Sequence, residues 1–159
     1  SQAGVDAGGN GRGRLSNRPE AGSGIEGVIS LDTNVLARYL LGDSPGQAKA
    51  AARLLEQGGS FYVPVTVTLE LAWVLQSVGC SRDEVAAGLR HLIGLPCLAF
   101  QYRADVLRAL EWHEEGMDFA DAIHQALSAE AEAVLTFDER FVRKAGQIGS
   151  FPPVSSIRV

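Results

Sequence analysis

Apolar residues occur in short runs that alternate with longer stretches of helical periodicity along most of this chain. The short runs predict five strands, and the stretches between them predict helices with one apolar face. Strands that alternate with helices are typical of a parallel sheet covered by helices on both faces. The predicted strands cover residues 28–31, 61–65, 95–100, 133–136 and 154–157, and the predicted helices cover residues 35–41, 47–57, 66–78, 82–93, 103–115, 118–130 and 139–145.

The first predicted strand delivers a carboxylate to its own end. Residues 28–31 are expected to be buried, and Asp32 follows them directly. Thr33 and Asn34 offer oxygens that are suited to capping the next helix. Open α/β sheets bind ligands at the carboxyl ends of their strands, so we expect Asp32 to take part in chemistry. Capping of the helix is the alternative role for this carboxylate.

The N-terminal segment differs in composition from the rest of the chain. Residues 1–24 are rich in Gly, Ser, Asn and Arg, and they predict a flexible tail or an added leader. Residues 25–159 predict one globular domain, since 46% of the 159 residues are hydrophobic. Cys80 and Cys97 lack ligand spacing, no signal peptide is visible and no apolar run reaches about 18 residues. We therefore expect a cytoplasmic protein without a membrane span.

The charge balance restricts how this chain can bind nucleic acid. Lys and Arg number 14 against 19 Asp and Glu, which gives a net charge of -5. A negative chain does not hold phosphates by its overall charge, so binding requires a local basic surface or a bound cation. The candidate basic residues are Arg38, Arg82, Arg140, Arg143 and Lys144.

Several more carboxylates lie near predicted strand ends and helix starts. Glu70 lies in an otherwise apolar helix, where a charged residue is seldom buried without a partner. Asp118 and Asp121 are three residues apart and share a helical face. Asp138 follows the fourth strand. For Asp118 and Asp138, helix capping is as good an interpretation as catalysis.

An acidic group of this kind suits a hard divalent cation. Mg²⁺ and Mn²⁺ favour carboxylate and water ligands. Such an ion lowers the pKa of bound water and stabilises charge on a phosphodiester. It would also let an acidic pocket attract phosphate.

Four blocks of this sequence resemble PIN-domain nucleases, and in particular the VapC toxins of bacterial type II toxin–antitoxin modules. The blocks are L-D-T-N-V-L-A-R-Y-L-L, V-T-V-T-L-E-L-A-W-V-L, D-F-A-D-A-I-H and V-L-T-F-D-E-R-F. The resemblance runs from about Val28 to the C-terminus. It implies an α/β fold, a three-layer α/β/α sandwich with a central, mostly parallel sheet of four to five strands.

The resemblance also implies a function. It predicts a Mg²⁺-dependent endoribonuclease that hydrolyses RNA with a metal-activated water, Mn²⁺ being the other cation considered. The implied partners are RNA, a VapB-like antitoxin and a second copy of the chain. Asp32 and Asp121 are the implied metal ligands, and Thr136 orients the site through hydrogen bonds. The implied catalytic residues are Asp32, Glu70, Asp118, Asp121, Thr136 and Asp138.

Two other functions are consistent with parts of the pattern. One is a catalytically inactive PIN-like domain that binds RNA or a protein. The other is a receiver-like or phosphatase-like domain with Asp32 as phosphoryl acceptor. The second is disfavoured because Ile29 and Ser30 precede Asp32 where such domains carry a paired acid, and no Lys is suitably placed.

Overall fold

Strands and helices alternate in the computed structural model of the chain, which describes residues 27–159. The predicted tail, residues 1–24, lies outside the described residues. The strands are β1 (Ile29–Ser30), β2 (Phe61–Val63), β3 (Leu98–Phe100), β4 (Val134–Thr136) and β5 (Val154–Ser156). The helices are α1 (Thr33–Leu41), α2 (Pro45–Glu56), α3 (Val65–Ser77), α4 (Arg82–Ile93), α5 (Arg103–Glu114), α6 (Phe119–Leu127) and α7 (Glu139–Ile148).

All strand pairs in this part of the chain are parallel. The first three strands form one sheet in the order β1-β2-β3, with Ile29 opposite Phe61 and Phe61 opposite Leu98. The last two strands form a second sheet, with Val134 opposite Val154. The predicted α/β class is confirmed, and the architecture is consistent with a PIN-like α/β/α fold. The five strands are divided between two sheets instead of forming one.

The hydrophobic core lies around β2 and β3. Both strands alternate, so that their first and last residues are buried and the middle residue is only half-buried. Leucines from four surrounding helices pack against them without solvent exposure, because each of these helices has an apolar face. Those residues are Leu36, Leu71, Leu89 and Leu110. The helices around this core therefore hold the strand ends in fixed positions.

The prediction of a buried first strand was wrong. Val28 is 44% exposed and Ile29 is 60% exposed, whereas only Leu31 is buried. The physical reason is packing: no helix within residues 27–159 covers Val28 and Ile29, whereas Leu98 and Phe100 of β3, at the other edge of the same sheet, are buried. Leu135 on β4 is 65% exposed, because its side chain is likewise not covered by the described part of the chain.

Helix starts follow local sequence rules in most cases. Ser81 and Glu84 form the reciprocal capping box at the start of α4, with Glu84 N donating to Ser81 Oγ over 3.2 Å. Ser81 is therefore the cap of α4. The expected capping of the first helix by Thr33 or Asn34 was wrong. Both residues lie inside the first turn of α1, and no side chain caps this helix.

The last helices differ in length from the prediction. The helix predicted over residues 118–130 ends at Leu127. The helix predicted over residues 139–145 continues through Gly146 to Ile148 and ends at Gly149, where φ is 72°. Within residues 27–159, no helix has both the length and the apolar character required to cross a bilayer.

Candidate active site

Three of the predicted carboxylates line one cavity of about 430 Å³. The cavity lies between the turn that joins α5 to α6 and the N-terminal half of α7. Asp118 and Asp121 come from the α6 side, and Asp138 comes from the start of α7. Basic side chains share the same walls: Arg82, Arg140, Arg143 and Lys144.

Asp118 and Asp138 are both helix caps. Asp118 Oδ1 accepts hydrogen bonds from the backbone N–H groups of Ala120 (2.9 Å) and Asp121 (3.2 Å). Asp138 Oδ1 accepts from the backbone N–H groups of Arg140 (2.8 Å) and Phe141 (3.3 Å). The capping interpretation is therefore confirmed for both residues. Each carboxylate uses one oxygen for its helix, so the cap leaves the second oxygen available for a ligand.

Asp121 is the most perturbed carboxylate of the cavity. Partial burial raises the pKa of Asp121 above its usual range, and repulsion by Asp118 and Asp138 raises it further. His124 and Arg140 offset part of this rise. A carboxylate in such surroundings is stabilised in its charged form by a cation, and a perturbed group in a cavity is a functional-site candidate.

Thr136 fixes the segment between β4 and α7. It is the last residue of β4, and its Oγ1 accepts a hydrogen bond from the backbone N–H of Asp138 over 3.0 Å. The hydroxyl therefore sets the direction in which the chain leaves the strand. The contact is consistent with the orienting role that the resemblance implies.

Asp32 and Glu70 lie outside this cavity. Asp32 is exposed at the N-terminus of α1 and makes no side-chain capping bond. Glu70 is exposed on α3 and lines a second cavity with Trp73 and Ala120. The structure thus brings together three of the five predicted carboxylates. Ala120 lines this second cavity, and the next residue, Asp121, lines the acidic cavity.

The donor chemistry of the acidic cavity fits Mg²⁺ or Mn²⁺. The carboxylates of Asp118, Asp121 and Asp138 offer only oxygen atoms as ligands, which these ions prefer. Among residues 27–159, no three acidic, His or Cys side chains lie together as a ready metal centre. Mg²⁺ commonly takes only one or two carboxylates and completes its shell with water and phosphate oxygens. Asp121 with one neighbouring carboxylate satisfies that requirement, and a role for Asp32 stays a prediction.

Arg82 has a role that sequence reasoning missed. Its Nη1 donates to the backbone carbonyls of His113 (2.8 Å) and Met117 (2.6 Å). It thereby ties the start of α4 to the turn that carries Asp118. No local pattern indicates this contact, because the partners are more than 30 residues apart in sequence. Arg38, another predicted RNA contact, is instead paired with Asp43 at 2.5 Å.

A comparison with known protein families identifies the family of this fold. A model of the PIN domain matches residues 29–147, about three quarters of the chain. The chain belongs to the PIN domain family. PIN domains are commonly nucleases, and the match includes all six predicted site residues. No curated protein matches the chain.

Proposed function

We propose that this PIN domain is a Mg²⁺-dependent endoribonuclease. The observation that carries the proposal is the convergence of Asp118, Asp121 and Asp138 in one cavity whose other wall is basic. Carboxylates in a shared cavity suit a divalent cation, and basic side chains suit the phosphates of RNA. The net charge of the chain is negative, so this local arrangement is what supports a nucleic acid substrate.

Each residue has a distinct task in the proposed reaction. Asp121 and one neighbouring carboxylate would hold Mg²⁺, with Asp32 proposed as a further ligand. The bound ion supplies a more acidic water and stabilises negative charge on the phosphodiester. The capping hydrogen bonds of Asp118 and Asp138 fix the orientation of each carboxylate and leave its second oxygen for the ion. Thr136 holds the backbone of Asp138. Glu70 is proposed to complete the acidic set from α3.

We extend the proposal to the biological role on the four sequence blocks that resemble VapC toxins. The domain would act as the toxin of a type II toxin–antitoxin module in the cytoplasm. A VapB-like antitoxin would block its acidic cavity, and two copies would form a homodimer. Coexpression with a candidate antitoxin should suppress both RNA cleavage and growth arrest.

The test of the enzymatic proposal is a cleavage assay on a mixed set of RNAs. The wild-type domain should cut RNA with Mg²⁺ and lose activity in EDTA, and Mn²⁺ should restore it. Asp121→Asn should lower the rate on the order of 100-fold. The matched control is Glu111→Gln, which removes an exposed acidic charge on α5 away from the cavity and should leave the rate unchanged. Equal rates for the two variants would contradict the proposal.

The alternative is a PIN-like domain that binds RNA or a protein without cleaving. The exposed positions of Asp32 and Glu70, away from the acidic cavity, favour it. Asp32→Asn and Glu70→Gln distinguish the nuclease from the binding domain. If all five carboxylates act together, each variant should strongly reduce the rate of RNA cleavage. No cleavage by the wild-type domain with either cation, together with retained RNA binding, would establish the alternative.

A further inference from the structure

Three basic residues of α7 share one face of that helix. Arg140, Arg143 and Lys144 follow the spacing that places side chains side by side. All three line the cavity that holds the acidic residues. Arg82 reaches the same cavity from α4, so its basic wall is built from two separate helices.

These four basic side chains form no ion pairs within the described part of the chain. The ion pairs found there involve other arginines, namely Arg38, Arg90 and Arg108. Arg140 acts on Asp121 only through space, since no direct contact joins them. Arg82 is bound to backbone carbonyls. The basic residues of α7 are therefore available to an anion from outside, whereas Nη1 of Arg82 is already bound to the turn.

Two of the cations are directed at the same turn. Lys144 Nζ lies 3.0 Å from the position that a Cβ atom would take on Gly116, in the turn between α5 and α6. Gly116 has φ +109°, a conformation that favours glycine. Arg82 Nη1 lies 2.6 Å from the carbonyl of Met117 in the same turn. The turn and α7 thus bring cations together next to Asp118.

We propose that Arg143 and Lys144 bind an RNA phosphate other than the one that is cleaved. This inference rests on the proposed function. A phosphate oxygen is a strong acceptor for guanidinium and ammonium groups, and such contacts set the register of a nucleic acid. The carboxylates would serve the scissile phosphate through the cation, so the separate basic wall serves a neighbouring phosphate. The shortest good substrate therefore carries two phosphates.

The first test compares short RNAs. A dinucleoside monophosphate has only the scissile phosphate, and versions with a 5′ or a 3′ terminal phosphate add one more. The wild-type domain should cleave one phosphorylated version with kcat/KM about tenfold higher than the unphosphorylated RNA, as expected for one charge-assisted contact. Arg143→Gln combined with Lys144→Gln should reduce this ratio to near one.

The matched control is Lys49→Gln combined with Arg53→Gln on α2. Both residues are exposed, and the pair has the same charge change without lining the cavity. This control should retain the tenfold ratio. Thermal melts of both double variants establish that they are folded. A wild-type ratio near one for both phosphorylated RNAs would overturn the phosphate site while the cleavage itself supports the proposed function.

The second test measures binding and does not depend on cleavage. A fluorescent single-stranded RNA is titrated in EDTA at several salt concentrations. Each neutralised phosphate of a single-stranded RNA contributes about 0.7 to the slope of log K against log salt, so loss of this one phosphate site should reduce the slope by about 0.7. An unchanged slope in the α7 double variant overturns the phosphate site. A reduced slope without any Mg²⁺-dependent cleavage supports the site and contradicts the nuclease.

Discussion

His113 is the buried titratable residue that most directly supports the turn of the candidate site. It is 1% exposed, and its Nδ1 lies 2.8 Å from the carbonyl oxygen of Met117. Its ring packs edge-on against Phe119 at 5.6 Å. Burial lowers the pKa of His113 and nearby Arg82 lowers it further, although the contact with the Met117 carbonyl opposes this shift. The neutral ring is the form that suits this environment.

The lowered pKa predicts that the protein loses stability in mild acid. The unfolded chain binds a proton at the usual histidine pKa of about 6.5, before the folded chain does. The stabilisation is therefore complete above that pH and is lost as the pH falls through the folded pKa. His113→Gln should flatten the pH dependence of the unfolding free energy by up to about 1.4 kcal/mol per pH unit. Urea titrations between pH 7 and pH 5 measure this slope.

His91→Gln is the control for this prediction. His91 is exposed on α4 away from the acidic cavity, and its replacement should leave the slope close to that of the wild type. A His113→Gln protein with the wild-type slope would contradict the assignment of the acid sensitivity to His113.

At the scale of elements, two helices begin at carboxylates that both cap the helix and line the acidic cavity. Asp118 starts α6 and Asp138 starts α7, and both also face the acidic cavity. Capping is a local property, because the side chain binds backbone groups two and three residues further on. The sequence therefore predicts it directly. Their convergence with Asp121 was also expected, but only the tertiary position of α7 beside the α5–α6 turn could place Asp138 there.

Substitutions at these caps should separate stability from catalysis. Asn caps a helix about as well as Asp does, so Asp118→Asn and Asp138→Asn should change the unfolding free energy by less than about 0.5 kcal/mol. Asp118→Ala and Asp138→Ala should cost about 1 kcal/mol each. All four should slow RNA cleavage, because the proposed chemistry needs the charge. Denaturant unfolding and the cleavage assay measure the two effects.

Ser81→Ala provides the matched comparison, because it removes the capping box of α4 without touching a site carboxylate. It should cost about 1 kcal/mol and leave cleavage unchanged well below the melting temperature. Normal cleavage by both Asn variants would show that Asp118 and Asp138 act only as caps.

For the whole molecule, the acidic cavity links α6 and α7 and should couple cation binding to folding. A cation that binds only the folded chain stabilises it by RT ln(1 + [L]/Kd), which is about 1.4 kcal/mol at ten times Kd. For a domain of this size the melting temperature should rise by about 4 °C. Differential scanning fluorimetry with MgCl₂, against KCl of equal ionic strength, measures the rise.

Asp121→Asn should abolish most of this rise in melting temperature. Its own melting temperature in EDTA should be slightly above that of the wild type at neutral pH. The reason is that the raised pKa of Asp121 makes its charged form unfavourable in the folded chain, a cost that sets in as the pH rises through that pKa. Equal stabilisation of both proteins by MgCl₂ would place the cation elsewhere.

Contacts between residues close in sequence could be predicted at this site, and contacts between residues distant in sequence could not. Asp118 and Asp121 share a helical turn, and their common location follows from helix geometry. Glu70 was expected to need a partner because its helix is apolar, yet it is exposed, since the outer face of α3 is not covered in the described structure. The pairing of Arg82 with Met117 has no local signal at all.

The sequence by itself determined the order of strands and helices, most helix starts and the family resemblance, because periodicity and capping act between residues a few positions apart. Only the tertiary structure decided that β1 lies at a sheet edge, that Arg82 holds the α5–α6 turn and that Asp32 does not line the acidic cavity. These outcomes depend on which surfaces are buried between distant segments. That choice is made by the free energy of the whole packed chain, which no short stretch of residues contains.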